Sequence, residues 1–91
     1  MRLEWSPHAI QDRSDIYEFV EERSPNAAIW IDSRIDQQLL TLLRFPSAGR
    51  PGRVPGTREL VITRTPYIAA YRPLPTRVRV LRIYHNAQMW P

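Results

Sequence analysis

The apolar positions of this 91-residue chain change period halfway along it. From Ala28 the pattern Ala28, Ile31, Ile35, Leu39, Leu42 runs at spacings of three, four, four and three, a buried helical stripe. Leu40, Leu43 and Trp30 widen it. A helix over Pro25–Arg44 is predicted, about 30 Å long at 1.5 Å per residue. Upstream, Ile10, Ile16, Tyr17, Phe19 and Val20 supply the apolar face of a helix from Pro7 to about Glu22, with Asp12, Asp15, Glu18 and Glu21 turned to water. Ser6–Pro7 and Ser24–Pro25 start the two helices: serine caps free amides, and proline suits the first helical position. The short link between them predicts an antiparallel helical hairpin. "RLEW" at residues 2–5 alternates as a short strand does.

Past Phe45–Pro46 the period falls to two. "TRELVITR" (57–64), "YIAAYR" (67–72) and "RVRVLRIY" (77–84) are β-rich runs, separated by "TP" and "PLPT" as tight turns separate hairpin strands. The order is β-α-α-β-β-β. An α+β fold is expected, with the helical hairpin packed on one face of a small antiparallel sheet and residues 1–91 forming a single domain. The other sheet face and the "HNAQMWP" tail remain for a partner.

Composition narrows the chemistry. A chain this short buries only about 60% of its unfolded surface, so a partner covering apolar area adds much to its stability. There is no cysteine, and the two histidines, His8 and His85, lie far apart, which excludes thiolate sites and argues against a metal centre. No apolar run approaches a membrane span and the amino terminus lacks a signal core, so a cytoplasmic protein is expected. Residues 1–45 carry eight acids and five arginines, a net of −3; residues 46–91 carry eight arginines and only Glu59, a net of +7. The basic half calls for an anionic partner. Arginine supplies every one of these cations, and its fork holds phosphate or carboxylate bidentately.

All three glycines fall in "GRPGRVPG" (49–56). The stretch lacks the lysine of a nucleotide-binding loop and follows a helix rather than a strand, so it is expected to be a stiff connector. Arg50, Arg53 and Arg58 would then edge an anion-facing rim. His85 closes the last strand beside the basic sheet, where a base for RNA cleavage would sit, and Glu59 is the one acid nearby. Arg79 and Arg82, three apart on one strand, face opposite ways unless a bulge intervenes. Tyr84 and Trp90 are suited to stacking on bases or on an apolar helix.

Three stretches, "LEWSPHAIQDRSDIYEFV" (3–20), "GRVPGTRELVITRTPYIAAYR" (52–72) and "VRVLRIYHNAQMWP" (78–91), together with the element order, resemble the RelE/ParE superfamily of bacterial type II toxins. The resemblance implies an antitoxin masking the concave sheet face and carboxyl-terminal edge. Tyr67, Ala69, Tyr71 and Trp30 are assigned to that contact, with no cofactor and no metal. One branch of the superfamily cuts mRNA on the ribosome; the other poisons DNA gyrase. The nuclease branch carries an arginine in its third strand, within an aromatic-or-His, Arg, Leu, Val, Tyr pattern. The matching run here is Tyr67-Ile68-Ala69-Ala70-Tyr71, with isoleucine in the arginine position. The run "VLRIYH" (80–85) resembles the ParE pattern more closely. The resemblance therefore implies a gyrase-binding toxin neutralised by a ParD-like antitoxin, with Arg79, Arg82, Tyr84, His85 and Trp90 on the target surface. The alternative is a ribosome-dependent endoribonuclease using His85, Arg58, Arg82 and Glu59.

Overall fold

The computed structural model describes residues 1–88. Strand β1 (Arg2–Trp5) leads into α1 (Pro7–Glu21) and α2 (Pro25–Leu40). A 3-10 turn (Thr41–Leu43) follows, then β2 (Arg50–Pro51), β3 (Arg58–Val61), β4 (Tyr67–Pro73) and β5 (Arg77–His85). The five strands form one sheet in the order β1-β5-β4-β3-β2. The expected α+β fold is present with two differences. The sheet is mixed, because β1 lies parallel to β5 at its edge, and the connector after the helices contributes a strand of its own.

Both helix starts follow from the two serine–proline pairs. The Ser6 Oγ accepts from the Ala9 amide at 3.0 Å, and the Ser24 Oγ accepts from Ala27 at 3.1 Å. Ser6 also donates to the Leu81 carbonyl at 2.8 Å, which ties the start of α1 to the middle of β5. The two helices are clipped by Arg13, whose guanidinium donates to both Asp32 oxygens at 2.6 and 3.0 Å, lies 3.5 Å from Asp36 and stacks over Trp5.

The α2 stripe does what its spacing requires. Ala28, Ile35, Leu39 and Leu42 are buried, and Ile31 packs against the core. They meet Ile62, Ala69, Tyr71, Val78, Val80 and Ile83 from the sheet. Each large side chain so buried stabilises the fold by about 1.5–3 kcal/mol. The face drawn for α1 is corrected. Ile10 and Phe19 are more than half exposed, and Ala9 with Ile16 does the packing. Asp12 turns inward instead of to water.

The glycine-rich connector is a small hairpin. Arg50 and Pro51 pair antiparallel with Glu59 and Arg58, and Gly52 donates to Thr57 across the turn at 2.8 Å. A Cβ at Gly49 would lie 2.7 Å from the Glu59 carbonyl and 2.8 Å from the Tyr71 ring, closer than packing permits. Gly56 has φ of +83°, the left-handed region open to glycine. Tyr71 fastens the segment from below: its hydroxyl donates to the Pro46 carbonyl at 2.7 Å and accepts from the Gly49 amide at 2.9 Å.

Candidate functional site

The register of β2 to β5 decides which side chains share the sheet face turned away from the helices. Arg50 stands opposite Glu59, Glu59 opposite Ala70, Val61 opposite Ile68, and Ile68 opposite Tyr84. Their alternate neighbours Leu60, Ala69, Tyr71 and Ile83 belong to the core side. Glu59 is held by Arg50, whose Nε lies 3.0 Å from Oε1. Burial, together with the charge of Glu59, pushes the Tyr84 phenol up to about 12, so it stays a neutral donor through the physiological range. Arg50, Arg53, Glu59, Ile68, Tyr84 and Asn86 line a cleft of about 260 Å³ here.

A β-bulge lies farther along β5. Ala70 pairs with Arg82 while Tyr71 pairs with Val80, so Leu81 is the extra residue. Two contacts from α1 hold this irregularity: Ser6 on the Leu81 carbonyl, and Asp12 on the Ile83 amide at 2.9 Å. Asp12 also takes both prongs of Arg82, at 2.8 and 2.9 Å, which raises the arginine's pKa further and keeps it charged. The bulge places Arg79 and Arg82 at register positions on one face, against Arg72 and Ala70. They nevertheless form no joint clamp, because Arg79 is bonded to Glu4 of β1 and Arg82 to Asp12.

His85 is exposed at the end of β5. Its Nδ1 accepts from the Ala87 amide at 3.0 Å, and its ring meets Tyr67 edge-on at 5.8 Å. An accepting Nδ1 puts the proton of the neutral ring on Nε2. In this arrangement the Nδ1 lone pair is engaged by the backbone of the turn that follows β5. A second cleft, of about 350 Å³, opens between this strand end and α1, lined by Asp12, Asp15, Phe19, Tyr67, Tyr84 and His85.

The residues read as a nuclease set are not assembled. Arg58 follows the core-side parity of Leu60 and donates to the Gly49 carbonyl at 2.7 Å. Its neighbour Glu59 faces the other way. Arg82 is committed to Asp12, and His85 to its own turn. The surface assigned to an antitoxin also needs correction. Ala69 and Tyr71 have no exposure and Tyr67 very little, because all three belong to the core side of β4. Of that set only Trp30, half exposed on α2, reaches solvent. Of the proposed target surface, Tyr84 and His85 share the cleft beside α1, while Arg79 lies nearer the other end of β5. Trp90 lies outside the described residues. Asp12 escaped the sequence reading, although its three-residue offset from the inward Ala9 was a signal that it faces the sheet. Among the described residues no cluster of His, Cys, Asp or Glu could hold a metal, and no helix is long and apolar enough to cross a membrane.

The solved ParDE system of P. aeruginosa includes a chain that superposes with a TM-score of 0.82 at 33% identity, covering 93% of this chain and 95% of that one. The YoeB/ParE toxin from Agrobacterium tumefaciens shares the fold at a TM-score of 0.65 and 22% identity, covering 93% of this chain and 98% of that one. Y4kP of Sinorhizobium fredii, a protein provisionally named a toxin, is 37% identical over 90 residues, spanning 99% of this chain and 93% of its own length. Residues 3–90 match the family described as ParE toxin of type II toxin-antitoxin system, parDE, and the chain belongs to that family.

Proposed function

We propose that this toxin arrests growth by binding DNA gyrase through its carboxyl-terminal strands, and that a ParD-like antitoxin neutralises it in a hetero-oligomeric complex. The observation that carries the reading is the occupant of position 68. Ile68 sits between Val61 and Tyr84 on the outward face, where the nuclease branch of the superfamily places an arginine. An aliphatic side chain gives no stabilisation to the charge that builds on phosphorus during RNA cleavage. No neighbour replaces it, since Arg50 is paired with Glu59 and Arg82 with Asp12. A binding role asks none of this. It needs a stable, charged surface, which the family offers on the last strands. The solved P. aeruginosa relative is a ParDE system, which supports a ParD-like partner for this chain.

The test is supercoiling of relaxed plasmid by gyrase in the presence of the purified toxin, with and without its antitoxin. Inhibition that the antitoxin relieves is the expected result. Normal supercoiling by a preparation that still stops growth would overturn the reading and direct attention to mRNA on the ribosome.

A further inference from the structure

On the outward face, at the end of the sheet away from Tyr84, four arginines share a corner with a single carboxylate, which three of them approach. The parallel register sets Arg2 against Arg77 and Glu4 against Arg79, and the antiparallel one sets Arg72 against Arg79. Like charges directly opposite one another across a sheet are unfavourable, and this corner has two such pairs. Glu4 bonds to Arg79, stands 3.2 Å from the Arg77 Nε and 3.8 Å from Arg2. The Arg77 Nε is buried and in ion-pair range of Glu4, but it is misaligned and donates no hydrogen bond. Arg72 reaches only the Pro55 carbonyl, at 3.3 Å. Among the described residues no second carboxylate pairs with these arginines, which leaves the group at +3.

We propose that this corner is a phosphodiester-binding site that holds the backbone of duplex DNA. Strands about 4.8 Å apart, with alternate residues about 7 Å apart along each, spread the guanidiniums over a two-dimensional grid on a sheet face. A chain carrying its charge along its own backbone fits such a grid, and each arginine fork matches a phosphate. An acidic peptide would add as a strand along the free edge of β1, two strands away from Arg72 on β4, whereas a duplex laid on the face can span all three strands. Arg72, whose one bond is a long one to the Pro55 carbonyl, is the guanidinium of the group least engaged by the protein. The proposal does not depend on gyrase, because it is read on free DNA.

The experiment is fluorescence anisotropy of a labelled DNA duplex titrated with the full chain over a range of salt concentrations, with circular dichroism confirming the fold of each variant. A slope of log affinity against log salt near −3 is expected, about −0.9 per phosphate contacted. Arg72→Gln weakens binding by about five- to tenfold near 0.1 M salt and lowers the slope by about one. Arg23→Gln, an equal loss of charge on the helical hairpin, leaves both unchanged. Glu4→Gln, which removes the corner's only carboxylate, tightens binding. Should that variant fail to fold, Arg2→Gln replaces it, with weaker binding expected. Equal losses in Arg72→Gln and Arg23→Gln would reduce the effect to overall charge and overturn the site. Binding of an acidic peptide of matched charge as tightly as the duplex would overturn the choice of ligand.

Discussion

Beneath the helices Tyr71, Val78 and Val80 have no exposure, whereas on the other side of the same strands Arg72, Arg77 and Arg79 keep part of their surface in water. The core side is held by close packing, which depends on the volume of each side chain. The outward side is held by carboxylate–guanidinium pairs, Glu4 with Arg79, Glu59 with Arg50 and, at the edge, Asp12 with Arg82. Removal of a core residue should therefore threaten the fold, and removal of an outward one should mainly change what the surface can bind.

Tyr71 gives the sharpest test and the largest expected effect. Tyr71→Ala leaves a ring-sized cavity and frees both the Pro46 carbonyl and the Gly49 amide. A loss of about 3–5 kcal/mol is expected, enough to unfold a domain of this size. Tyr71→Phe keeps the ring and strands the two polar groups, at about 1–3 kcal/mol. Urea denaturation followed by circular dichroism orders the two. A Tyr71→Ala protein that keeps the parent midpoint would show that Tyr71 does not anchor the core side.

That test also marks what the sequence could and could not convey. The helices and strands were legible because serine–proline starts and a period of three to four are local signals. The α2 stripe was right for the same reason, since Ala28, Ile35 and Leu39 repeat on one helical face. Parity in β4 was not legible. "YIAAYR" has apolar residues on both faces, so nothing local says that 67, 69 and 71 point inward while 68 and 70 point outward. The parallel pairing of β1 and the bulge at Leu81 are likewise set by contacts about 75 residues apart, Ser6 with Leu81 and Glu4 with Arg79. The charge imbalance between the two halves was visible, yet three of the acids that pair with the basic half, Glu4, Asp12 and Glu59, could be found only from the sheet register and the helix docking.

Asp12 lies at the boundary between the two regimes and should give an intermediate effect. Its carboxylate joins α1 to β5 through Arg82 and the Ile83 amide. Asp12→Ala leaves that amide and a half-buried guanidinium without their partner, and a loss of about 1–3 kcal/mol is expected. Hydrogen exchange should localise the loosening to the Leu81 bulge. Uniform exchange across the sheet would mean that Asp12 supports the fold generally and does not clamp the bulge. On the outward face Ile68→Arg should cost about 1–2 kcal/mol, because Ile68 is buried although it faces away from the helices. It should not confer cleavage of RNA, because Arg82 remains paired with Asp12. Ribosome-bound mRNA cut by that variant and not by the parent would show that position 68 alone separates the two branches.

The last effect, seen only as the pH rises past 10, belongs to Tyr84. Burial first, and Glu59 second, raise its phenol from the usual 10 to about 12. A raised pKa means that folding favours the protonated form. The contribution to stability is complete below pH 10, falls as the unfolded chain ionises, and is gone above about pH 12. Phenolate absorbance should therefore show Tyr84 ionising well after a free tyrosine, and Tyr84→Phe should remove that late step. Glu59→Gln separates the two causes. It leaves burial nearly unchanged while deleting the neighbouring charge, so the late step should move toward 10 without reaching it. An unmoved step would assign the whole shift to burial and would leave Glu59 as a partner of Arg50 alone.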